Sequence, residues 1–137
     1  MPLEPRTSFL NVDLDLQGEF DLEPLLAGFG DDVVVVSRFD DDGQRHAALE
    51  LSSELHQPYD AQTAVLGFAR LVAALPPELR ERWDAAGACL NVGVQAGRQP
   101  YAEALSLSAE AVAAAAAIGA RIELTVYGAE VDEPSPS

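Results

Sequence analysis

The chain has no lysine and a single cysteine. Cys89 alone excludes an internal disulfide framework and any Cys-rich zinc module. The eight cationic side chains are all arginine, against 23 acidic ones. A net charge of −15 argues against nucleic-acid or anionic-membrane partners, because both need clustered cations. No apolar run approaches the roughly 20 residues of a membrane-spanning helix. The alanine-rich Ala113 to Ile118 is far shorter. Met1 to Arg6 offers no apolar h-region, so no signal peptide is expected. The sequence has no G-x-S-x-G elbow, no P-loop and no G-x-G-x-x-G. Gly28-Phe29-Gly30 follows a helix signal instead of opening one, so it is not a phosphate cradle. The expectation is a cytoplasmic protein with a reduced Cys89.

Hydrophobic residues make up 48% of 137 residues, too many for disorder throughout and enough for one domain with its own core. Residues 1–6 read as a flexible N-terminus and 7–128 as the domain. Residues 129–137, acidic and rich in Pro and Ser, read as a disordered tail. Arginine without lysine, with abundant alanine, also fits a GC-rich coding bias. A halophile's chain would be acidic and lysine-poor as well, its acidity serving solubility.

Period-two alternation marks Ser8 to Leu16 as a strand, with Leu10, Val12, Leu14 and Leu16 inward. Asp21 suits an N-cap before Leu22, Leu25, Leu26 and Phe29 at helical spacing, and Gly30 stops that helix. The β-branched run from Val33 to Phe39 is a second strand, and it is the one expected at the sheet centre because it is continuously apolar. Asp42-Gly43 is a hairpin turn leading into a third strand, Gln44 to Leu51. Asp60 caps a helix with Val65, Phe68, Leu71, Val72 and Leu75 in one stripe. Pro77 starts another, carrying Leu79 and Trp83 on one side. Cys89 to Ala96 is a fourth strand. Ser108 caps a helix that ends at Gly119, and Arg121 to Tyr127 is the last strand, with Ile122, Leu124 and Val126 inward.

The order is β-α-β-β-α-α-β-α-β. It predicts an α+β two-layer sandwich, a mixed five-stranded sheet with helices on one face. Each β-α-β unit should pair its strands in parallel or leave a gap for a strand from elsewhere. Leu10-Asn11-Val12 and Leu90-Asn91-Val92 open similar strand-helix-strand units, which suggests a degenerate β-α-β duplication.

Alternation assigns Asn11, Asp13, Asp15, His46, Glu50, Asn91, Gln95, Glu123, Thr125 and Tyr127 to the helix-free face. Carboxylates two apart on a strand lie roughly 7 Å from each other. Such a face suits a basic protein, with electrostatic steering of the encounter. Asp13, Asp15, Glu50 and Glu123 are the candidate contacts, with His46 beside them and Tyr127 as an anchor. A plain solvated face is the alternative.

No metal, cofactor or catalytic group is expected. Asp40-Asp41-Asp42-Gly43 fails the EF-hand spacing, since Arg45 and Leu51 stand where glycine and glutamate are needed. His46, His56 and Cys89 form no zinc pattern. A Cys89–His46–Asp13 arrangement is conceivable, although a lone strand cysteine is commonly a small apolar group. Phe9, Phe20 and Tyr101 would mark an interface if they clustered.

Leu75-Pro76-Pro77-Glu78 through Trp83-Asp84, then Leu90-Asn91-Val92-Gly93, then Leu107-Ser108 with a helix into Ile118-Gly119-Ala120 and a strand ending at Tyr127, resemble small bacterial domains of unknown function. Some of those are encoded beside contact-dependent or secreted toxins and are suspected immunity proteins. The resemblance covers residues 7–127 in outline and carries no catalytic residues across. It implies a stand-alone cytoplasmic α+β module, and an immunity role by association. The leading expectation is a non-catalytic binder of a basic toxin. Beside it stand a homodimer formed through a strand edge or sheet face, and a small-ligand binder.

Overall fold

The computed structural model describes residues 7–52, 60–98 and 104–128. The element order is β1 (Ser8–Gly18), α1 (Glu23–Phe29), β2 (Val33–Asp41), β3 (Gln44–Leu51), α2 (Ala61–Ala73), α3 (Pro77–Ala85), β4 (Gly87–Gln95), α4 (Ala109–Ala117) and β5 (Arg121–Tyr127), with a short 3-10 turn between α1 and β2. This is the expected α+β order. The strands lie β2-β3-β1-β4-β5 across one sheet. β3 runs antiparallel to both β1 and β2, so β1 and β2 are parallel with β3 filling the gap between them. β1 and β4 are antiparallel, and β4 and β5 are parallel neighbours.

Helices cover one face of this sheet. Val12, Leu14 and Leu16 of β1, Leu49 of β3, and Leu90, Val92 and Val94 of β4 are buried in one cluster with Leu25, Phe29, Phe68, Val72, Trp83 and Ala115. Trp83 anchors the helix layer. Its indole N–H donates to the Ile118 carbonyl at 2.8 Å, and its ring meets Phe29 edge-on at 6.3 Å. Local signals close the elements as the sequence implies. The Asp60 carboxylate accepts from Thr63 N and the Ser108 hydroxyl from Ala111 N, both N-cap bonds. Asp42 and Gly43 both have positive φ, as a type I′ hairpin requires. Asp21 accepts from Glu23 N, but the helix begins one residue later than expected, after Leu22.

Three expectations fail, each for a geometric reason. β2 is an edge strand, not the centre; β1 is central. Its valine run mixes destinations: Val33 and Val35 face the helices, Val34 faces the open side opposite Glu50, and Val36 is the extra residue of a bulge. Leu10 is exposed, because a second bulge between Phe9 and Asn11 shifts the phase and lets Phe9 pack on the core instead. Ile122, Leu124 and Val126 do point to the helix side, paired with Leu90, Val92 and Val94, yet they are exposed. α4 packs chiefly on α2 and leaves β5 uncovered. The two termini, His56 and Tyr101 lie outside the described residues.

Candidate functional site

The strand registers turn the open face into transverse rows. One row runs Phe39–His46–Gln17–Gly87 from β2 to β4. The next runs Ser37–Ala48–Asp15–Cys89–Arg121. In the third, Asp13 pairs with Asn91 and Asn91 with Glu123, while Glu50 flanks Asp13 from β3. Gly93 and Thr125 continue beyond Asn11, and Tyr127 closes the far end of β5. All six candidates therefore share one face. Asp13, Asp15 and Glu50 meet near its middle, and Glu123 stands beyond β4 on the edge strand β5, where its charge still reaches Asp15. His46 sits at one end, stacked on Phe39 with centroids 4.6 Å apart. Tyr127 sits at the other end.

Two asparagines organise the carboxylates. The Asn11 amide donates to Asp13 Oδ1 at 3.1 Å and to Glu50 Oε1 at 3.0 Å. The Asn91 amide donates to Glu123 Oε1 at 3.2 Å. The repeated Leu-Asn-Val signal thus places one amide clamp on each central strand. A Cβ on Gly93 would stand 2.5 Å from the Asn11 side-chain oxygen, so Gly93 leaves the room in which Asn11 reaches its carboxylates.

The carboxylates are held against their own repulsion. Partial burial, then a hydrogen bond with Glu50, then the charges of Glu50 and Asp15, push the Asp13 pKa up to about 7. Burial and the Glu123 charge raise Asp15 as well. Arg121 is the only arginine at a strand position of this face among the described residues. It stands 4.0 Å from Glu123. Its pKa is raised, first by hydrogen bonding to Cys89 and then by the charges of Cys89 and Glu123.

A shallow basin of about 570 Å³ opens beside the acidic row, lined in part by Asp15, Phe39, His46, Cys89, Arg121 and Glu123. Cys89 is buried beneath its rim. The conceivable Cys89–His46–Asp13 set is not assembled. His46 lies on β3 and Cys89 on β4, with β1 between them, roughly 10 Å across. Asp13 engages Glu50 and Asn11 instead of His46. Among the described residues no three His, Cys, Asp or Glu side chains converge as metal ligands. Among the described residues no helix is long and apolar enough to cross a membrane.

Sequence reasoning placed the acidic residues on one face. It missed the Asn11 clamp, the Gly93 gap and the position of Arg121. A glycine inside a strand pattern was the readable hint of close approach. Comparison with known proteins finds no matching family model, curated sequence or solved structure.

Proposed function

We propose that the protein is a non-catalytic binding module whose open sheet face receives a cationic segment of a partner protein. Neutralisation of a basic toxin is the setting that its sequence resemblance implies. One observation carries the reading: Asp13, Asp15, Glu50 and Glu123 share a face with one arginine among the described residues, and Asp13 is driven to hold a proton near neutral pH. A solvated face spreads like charges. This one concentrates them, with amides aiming their oxygens. An incoming arginine or lysine would displace that proton and relieve the repulsion, so binding gains what the free protein lacks. Steering by the net charge of −15 would make association fast and salt-sensitive.

Paired affinity columns test this. One carries the wild type and the other Asp13→Arg with Asp15→Arg, both loaded with lysate of the source cells and eluted with salt. A basic protein kept by the first column and lost from the second is expected. Identical eluates from two well-folded baits would overturn the assignment.

A further inference from the structure

The two edges of the sheet are not alike. β2 carries the devices that stop strands from pairing: a bulge at Val36 and the charged end Asp40, Asp41, Asp42. β5 is regular over all seven residues, has no bulge and no proline, and pairs only with β4 among the described residues. It is also apolar where apolar residues are costly. Leu124 is 58% exposed and Val126 56% exposed, with Ile122 beside them, on the side that α4 leaves bare. A chain of net charge −15 that keeps an unguarded, apolar edge calls for an occupant.

We infer that β5 is a homodimer edge, pairing antiparallel with β5 of a second copy about a two-fold axis at Leu124. The sequence of the strand supports this register. Centring on Leu124 pairs all seven residues. Ile122 then meets Val126 of the second copy, and Leu124 meets Leu124, a continuous apolar row on the helix side. On the open side Glu123 meets Thr125, and Arg121 meets Tyr127, a cation over an aromatic ring. Centring on Glu123 would set that carboxylate against its own copy. Centring on Thr125 would leave Arg121 beyond the pairing. The strand itself carries one arginine and one glutamate, so the pairing edge is locally neutral although the chain is not. Arg121 and Glu123 also line the basin, so Tyr127 of the second copy would stand at its open rim.

Seven residues make a small interface, of the kind that forms weak, concentration-dependent dimers. Added salt should tighten it by screening the repulsion between two acidic copies. Sedimentation equilibrium over a micromolar to millimolar series is the test. The expected result is a monomer–dimer equilibrium that Leu124→Glu weakens at least tenfold and that Val36→Glu, at the bulge of the other edge strand, leaves intact. Both side chains are exposed, so the fold should survive, as circular dichroism would check. Leu124→Cys in a Cys89→Ser background provides an independent test. Opposed residues of an antiparallel pair lie about 4.5–5.5 Å apart at Cα, within disulfide reach. Mild oxidation should yield a cross-linked dimer. A wild type that stays monomeric throughout, a dimer indifferent to Leu124→Glu, or a Leu124→Cys variant that does not cross-link would each overturn the inference.

Discussion

Asp13→Asn keeps the side chain's shape and its acceptor for Asn11, and removes the charge. In the folded protein the Asp13 carboxyl is raised from 3.8 to about 7. Between those two values the folded state holds a proton that the unfolded chain has released. Stability contributed by this group therefore falls as pH rises through the window, opposite to a salt-bridged aspartate. Below 3.8 both states are protonated and the charge costs nothing. Above about 7 the whole cost is present. At about 1.4 kcal/mol per pH unit the ceiling is about 4 kcal/mol. The carboxyl is only half-buried and its repulsion is partly screened, so about 1–2 kcal/mol is the realistic share. The variant should be more stable than the wild type by that amount at about pH 8, with the gain shrinking toward about pH 4. Urea unfolding at several pH values reads this without adding salt. A gain that is absent, or constant with pH, would mean that the Asp13 charge carries no such cost. The same substitution should weaken capture of the basic partner, since a site held at a cost to stability is the one that loses function when relaxed.

Other outcomes follow from single contacts. Trp83→Phe removes the donor to the Ile118 carbonyl inside the core and should cost about 1–3 kcal/mol by denaturant titration. Gly93→Ala pushes the Asn11 amide away from Asp13 and Glu50; it should cost about 1 kcal/mol and shift the Asn11 side-chain amide resonances while the fold persists. Asp60→Ala removes the cap of α2, a loss of about 1 kcal/mol in thermal unfolding. Backbone and side-chain hydrogen bonds from Thr63 hold the Asp60 pKa below 3.8. That cap is therefore complete above 3.8 and is lost as pH falls through the lower folded value.

The hairpin at Asp42-Gly43, the caps at Asp60 and Ser108, and the inward Val12, Leu14 and Leu16 were legible because each depends on neighbours in sequence. So was the sharing of one face by Asp13, Asp15, Glu50 and Glu123, which needs only a period of two. The failures came from non-local geometry. Bulges at Leu10 and Val36 shift the phase by one residue and leave no mark in hydropathy. β2 reads as the central strand, and β5 as a strand with one buried row, because apolar composition records what a strand could bury, not what packs above it. The Asn11 clamp was invisible because Glu50 is brought to it from β3, 39 residues away.

The proposed binding function rests on a face whose carboxylates are held together at a cost. Titrating the side-chain carboxyl carbons by NMR measures that cost without a partner in hand. Asp13 should titrate at about 7, and Asp15 above its ordinary 3.8. If both titrate at about 4, as an unstrained aspartate does, the face stores no repulsion for a cation to relieve, and the binding function proposed for it loses its physical basis.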